Sequence, residues 1–148
     1  MENWRFFSLD ELCHSTSALR ADIRNVPNDE QLKNLNRLVK DVLDPIRSAW
    51  GGPIIVTSGF RCPELNSLVG GLSNSYHQLG LAADLVAPAT EDSLSRRNTM
   101  MLYNFIKKNM DRFFVDEVIA EKAKRDRTCE WIHIQTSKQY HLPRHLAF

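Results

Sequence analysis

His77, Asp84 and His133 are the side chains of this sequence best suited to hold a metal ion. Imidazole nitrogen and carboxylate oxygen both suit zinc, and three protein ligands leave a fourth position for water, the pattern of a catalytic rather than a structural site. Asp84 is the hardest of them to read as scaffold. It falls within the run Leu81-Ala82-Ala83-Asp84-Leu85-Val86, and a strand carboxylate is costly to bury without a partner. A lone strand histidine is more often a hydrogen-bonded structural residue, so the metal reading rests on the group together. Cys13, Cys62 and Cys129 are odd in number and lack paired spacing, which argues against a disulfide framework or a cysteine zinc knuckle. They read as small buried apolar side chains.

The flanking segments must bring these ligands together. Leu81–Val86 alternates and reads as a strand, with Ala82, Asp84 and Val86 on one face. His77 closes a polar stretch from Ser58 to Gly80, a loop long enough to expect function of it, with a short helix possible over Pro63–Val69. Gly80 lets the chain turn from His77 into the strand. Trp131, His133 and Gln135 share one face of a strand over Trp131–Thr136, and His133 completes the site if that strand pairs with Leu81–Val86. Phe114–Glu121 reads as its hairpin partner across a charged turn, Lys122–Thr128.

The remaining elements are mostly helical. Ser8 with Glu11, and Ser15 or Thr16, open short helices towards Cys13 and Ile23. Asn28 caps a longer helix whose stripe is Leu32, Leu35, Leu38, Val39, Val42, Leu43 and Ile46, with Pro45 expected to kink or thin its last turn. Pro53–Thr57 reads as a strand, and Thr90-Glu91-Asp92 opens a helix to about Asn109. Helices grouped around strands that pair antiparallel give an α+β fold, a small antiparallel sheet with helices packed on it. The 148 residues, 43% hydrophobic and 25% charged, suffice for one domain spanning 1–148.

A net charge of +1 offers no field for nucleic acid or an anionic membrane, and no apolar run reaches the roughly twenty residues of a membrane span. Met1-Glu2-Asn3-Trp4-Arg5 lacks the basic-then-apolar order of a signal peptide. Synthesis in the cytoplasm is therefore expected, and a monomer.

Three stretches carry a resemblance. Ser58-Gly59-Phe60-Arg61-Cys62-Pro63-Glu64-Leu65-Asn66, Ser75-Tyr76-His77-Gln78-Leu79-Gly80-Leu81-Ala82-Ala83-Asp84 and Glu130-Trp131-Ile132-His133 resemble, in order, the Ser-Gly-Tyr-Arg-Ser-Pro-x-x-Asn, Ser-x-His-x-x-Gly-x-Ala-x-Asp and Glu-x-x-His elements of the zinc D-alanyl-D-alanine peptidases of the Hedgehog/DD-peptidase fold. The likeness runs from about Phe6 to about Gln135, since Phe7-Ser8-Leu9-Asp10-Glu11-Leu12 and Ile23-Arg24-Asn25-Val26-Pro27 also resemble the opening of the smaller phage and bacterial members.

The resemblance implies one zinc ion on His77, Asp84 and His133, Glu130 as general base and Arg61 as the cation that holds substrate or the developing oxyanion. It implies a peptidoglycan stem peptide as substrate, cut either at D-Ala-D-Ala or at L-Ala-D-Glu, and wall action after phage-type release. Residues three apart on a regular strand face opposite ways, so Glu130 and His133 share a site only if the chain bends or the strand begins at Trp131, and a start at Trp131 is expected. Glu121 and Asp116 are the reserve bases. Ser75 is expected to orient a ligand or substrate, or to cap a turn, and Trp131 to wall the substrate pocket or pack in the core. Cys62 and Cys129 adjoin proposed site residues but still read as buried packing. His14, His141 and His145 have weak claims, and Gly59, Gly70, Gly71 and Gly80 read as turn glycines with no phosphate-loop pattern around them. The alternative is a non-catalytic, zinc-stabilised binding module of the same fold.

Overall fold

The computed structural model describes residues 4–122 and 128–139. The turn between the last two strands and the tail with His141 and His145 lie outside the described residues.

Helix starts follow the capping chemistry. Ser8 Oγ accepts from Glu11 N at the head of α1 (Leu9–Cys13), and Ser15 Oγ accepts from Ala18 N at the head of α2 (Thr16–Arg20). Helix α2 ends three residues short of Ile23, because Asp22 takes a left-handed φ of 55° and turns the chain. Asn28 and Gln31 form a reciprocal capping box that opens α3 (Asp29–Arg37). The helix then widens into a π turn over Leu38–Leu43, with Asp44 N bonding to Val39 O, and resumes as α4 (Asp44–Trp50) with Pro45 in its first turn. Proline has no N–H to give to a carbonyl four residues back. The local register shift accommodates that gap without a break.

Strands β1 (Ile55–Ser58), β2 (Ala82–Val86), β3 (Glu117–Lys122) and β4 (Cys129–Gln135) form one sheet in the order β1-β2-β4-β3, every pair antiparallel. The fold is α+β. One sheet face, with Ala83, Leu85, Val118, Ile132 and Ile134, packs on the stripe of α3 to α4 and on Leu102 and Ile106 of α6 (Ser95–Lys108). Burying that face is the main stabilising contribution. The opposite face carries Asp84 and His133 and is left open as a cleft.

Other boundaries also differ from expectation, and β1 runs over Ile55–Ser58 rather than Pro53–Thr57. Helix α6 starts at Ser95 rather than at Thr90, because Thr90 and Ser93 exchange backbone hydrogen bonds that turn the chain first. Strand β3 starts at Glu117, since Phe114 sits at φ 56° and Val115 N still bonds back to Met110 O. Strand β4 starts at Cys129 rather than at Trp131, which bears on Glu130 below. A short helix, α5 (Pro63–Leu68), occupies the loop as expected. Among the described residues no helix is long and apolar enough to cross a membrane.

Candidate metal centre

His77 lies on a single 3₁₀ turn, Tyr76–Leu79, whose first N–H groups need a partner outside the turn. Ser75 Oγ supplies it, accepting from His77 N at 3.2 Å. Gln31 and Asn34 of α3 donate side-chain hydrogen bonds to the carbonyls of Gln78 and Leu79, so the longest helical segment grips the turn from behind. Gly80 follows at φ 80°, where an added Cβ would stand 2.6 Å from Gln31 O. A side chain has no room there, and the turn into β2 depends on that.

Asp84 and His133 are cross-strand partners on β2 and β4, which fixes their side chains on one face. Asp84 Oδ1 lies 3.2 Å from His77 Nε2 and 3.1 Å from His133 Nδ1. The far ring nitrogens are both occupied. His77 Nδ1 donates to Gly59 O at 2.7 Å, and His133 Nε2 donates to Gln135 Oε1 at 2.8 Å. Each bond turns the ring's other nitrogen towards Asp84, where it donates to the carboxylate when protonated and offers a lone pair to a metal when not.

Three acceptors therefore converge within 4.8 Å of one another, His77 and Asp84 being 3% and 7% exposed. Such a cluster needs a proton or a cation among its members. Burial pushes the Asp84 carboxyl up, but hydrogen bonds and charge from His133 and His77 outweigh it and bring it to about 2. Burial pushes His133 down, and its hydrogen bonds to Asp84 and Gln135, with the charges of Asp84 and Glu117, carry it above its ordinary value. The donor set fits zinc: ligands 2.0–2.1 Å from a tetrahedral ion stand roughly 3.3 Å apart, close to the two separations from Asp84.

Arg61 closes the cluster on the β1 side. Its Nη2 lies 3.4 Å from Asp84 Oδ2, Nε donates to Ser58 Oγ at 3.0 Å and Nη1 to Asn66 Oδ1 at 3.4 Å. Its backbone N–H bonds to His77 O. Asn25 ties the same loop down, donating to the carbonyls of Cys13 and Phe60 and accepting from Cys62 N. Burial lowers the Arg61 pKa and the Asp84 charge opposes that.

The family model described as Peptidase M15 matches residues 5–107. The chain belongs to the peptidase M15 family. Comparison with curated proteins gives no match. The M15 match takes in Arg61, His77 and Asp84 and ends before β3 and β4, so His133 joins the group through its geometry. Family membership supports a zinc metallopeptidase, and the His77-Asp84-His133 group supplies ligands for its metal.

The M15 cluster opens into a cleft of about 420 Å³. Its β4 floor is Trp131, His133 and Gln135, its β3 side is Glu117, Ile119 and Glu121, and Leu72, Asn74, Ser75 and Tyr76 overhang it. Ser75 thus both caps the His77 turn and faces the cleft, and Trp131, 37% exposed, walls it instead of packing in the core. Glu130 is not among the residues that line the cleft. The register pairs Trp131 with Glu121 and Cys129 with Lys122, leaving Glu130 as the extra residue of a bulge. Cys129 then takes the core position, and Glu130 Oε1 meets Arg96 Nη2 of α6 at 3.2 Å.

Of the reserve bases, Glu121 lines the cleft and Asp116 does not. Glu117 and Gln135 were not among the sequence candidates. Their signal was parity, since each shares a face with a residue already placed there: Glu117 with Glu121, and Gln135 with His133. His14 and the three cysteines stand outside the metal group, and burial raises the Cys129 thiol pKa.

Proposed function

We propose that this M15 protein hydrolyses a peptide bond in bacterial peptidoglycan stem peptides, with one zinc ion on His77, Asp84 and His133 and with Glu121 as general base. The observation that carries the reading is the convergence of His77 Nε2, Asp84 Oδ1 and His133 Nδ1 in a cleft whose neighbouring strand presents a half-buried carboxylate. Zinc, when bound, supplies Lewis acidity and can lower the pKa of a coordinated water to about 7.

The chain's own groups do the rest. Glu121 stands opposite Trp131, diagonal to His133, at a separation of roughly 7–8 Å typical of such pairs. It takes the proton of the attacking water and returns it to the leaving amine. Glu117, the diagonal neighbour on the other side, is exposed at the mouth and less fixed for proton transfer. Arg61 uses three of its five N–H groups on Ser58, Asn66 and Asp84, leaving two to donate hydrogen bonds to a substrate carbonyl. Trp131 and Tyr76 give the peptide apolar walls and exclude water.

The test is mass spectrometry of defined peptidoglycan fragments after incubation with zinc-loaded protein, with Glu121→Gln alongside. We expect a single hydrolytic product from the unsubstituted protein and a rate lower by about 10²–10⁴-fold in Glu121→Gln with zinc content unchanged. No product from a fully zinc-loaded protein across several wall chemotypes would overturn hydrolysis and leave a zinc-stabilised binding module.

A further inference from the structure

The charge lining the cleft bears on which end of a stem peptide it accepts. A carboxypeptidase must receive a free α-carboxylate beside the scissile bond, and that group needs a cation not already neutralised. Among the described residues lining the cleft, Arg61 is the one fixed cation, and Lys138 stands outside the lining with Nζ 5.4 Å from the Tyr76 ring centre. Its charge is spent on Asp84, 3.4 Å away, and its Nε and Nη1 are held by Ser58 and Asn66.

Besides the two histidines and Tyr76, the other ionisable side chains of the lining are carboxylates. Glu117 and Glu121 project from β3 on either side of Ile119 and flank His133 on both diagonals, and neither forms an ion pair among the described residues. Three carboxylates therefore face one guanidinium. A divalent ion brings the lining side chains to neutrality and leaves no surplus among them for an incoming anion. Four residues of extended strand put Glu117 and Glu121 about 13 Å apart, so a peptide crossing the metal group has a carboxylate near it on each side.

We propose that this cleft takes an internal peptide bond, flanked by neutral amides, and rejects a free C-terminal carboxylate, with Glu117 the residue that sets the preference. The proposal rests on the stem-peptide reading above and narrows it to endopeptidase action. Glu117 stands at the exposed mouth opposite Gln135, where a substrate chain enters or leaves. A carboxylate arriving there meets like charge, which weakens binding, whereas an amide or an amine does not.

The test uses two N-acetylated stem peptides of sequence L-Ala-D-isoGln-L-Lys-D-Ala-D-Ala, one ending in the free acid and the other in the amide. Binding of each to zinc-loaded Glu121→Gln is measured by calorimetry at low salt, and products from the unsubstituted protein are read by mass spectrometry. The expected result is binding of the amide about tenfold tighter than the acid, a gap that closes to within about threefold in Glu117→Gln, and cleavage of both peptides at the same internal bond. Tighter binding of the acid, release of terminal alanine that amidation abolishes, or binding of neither peptide would each overturn the proposal. A preserved amide preference without cleavage of either peptide would uphold it while counting against hydrolysis.

Discussion

His133 stands directly across the sheet from Asp84, with Nδ1 3.1 Å from Oδ1, and its other nitrogen is held by Gln135 two residues along the same strand. One pairing register thus sets a ligand pair, and one short side-chain bond sets the tautomer that makes the imidazole a ligand.

Gln135→Ala leaves His133 in place but frees its ring. The expected outcome is zinc affinity lower by about 10–100-fold, with the far-ultraviolet spectrum unchanged. Competition against a chromophoric chelator measures it, and unaltered affinity would mean that the Gln135 bond does not orient the ring.

Glu130→Gln separates the two acidic candidates. Its partner Arg96 is about half exposed and Glu130 itself is more than a third exposed, so the ion pair contributes under about 1 kcal/mol. Peptide hydrolysis within about twofold of the unsubstituted rate is expected. A loss comparable with that of Glu121→Gln would return the base to Glu130.

The metal-free protein has a stability window with a definite sign. Asp84 is depressed from 3.8 to about 2, so its contribution is present above 3.8 and lost as pH falls towards 2. His133 is raised above 6.5, so its contribution is complete below 6.5 and lost as pH rises through the raised value. Protein stripped with a chelator should therefore melt higher at pH 5.5 than at pH 8, and His133→Asn should flatten that difference. Zinc needs neutral imidazoles, so added zinc should raise Tm more at pH 8 than at pH 5.5. Equal melting of the stripped protein at both values would contradict the His133–Asp84 coupling.

Gly80→Ala tests the turn that carries His77. The residue would need φ 80° and its Cβ would lie 2.6 Å from Gln31 O. Unfolding in urea should show a loss of about 1–3 kcal/mol, together with weaker zinc binding as the His77 turn moves off α3. A neutral substitution would show that α3 does not constrain the site.

The local chemistry of the chain was legible without coordinates. Asn28 with Gln31 announces a capped helix, the Leu35–Ile46 stripe announces its buried face, and the alternation around Asp84 and His133 places both on one side of their strands, because caps and periodicities depend on residues a few positions apart. His77, Asp84 and His133 could be proposed as a group on the same grounds, and the pairing of β2 with β4 bears out their juxtaposition.

Glu130 could not be judged in that way. Whether it faces His133 depends on where β4 begins and on a bulge against β3, and a single inserted residue reverses every side chain beyond it. The choice is made by Cys129, which fills a fully buried core position and so sends Glu130 towards Arg96. The occupied state of Arg61 is tertiary too, since Ser58, Asn66 and Asp84 meet around it only when β1, α5 and β2 assemble. The sequence by itself determined the elements and the ligand types. Packing decided which carboxylates face the metal group, because facing is a property of register and core filling that no local pattern encodes.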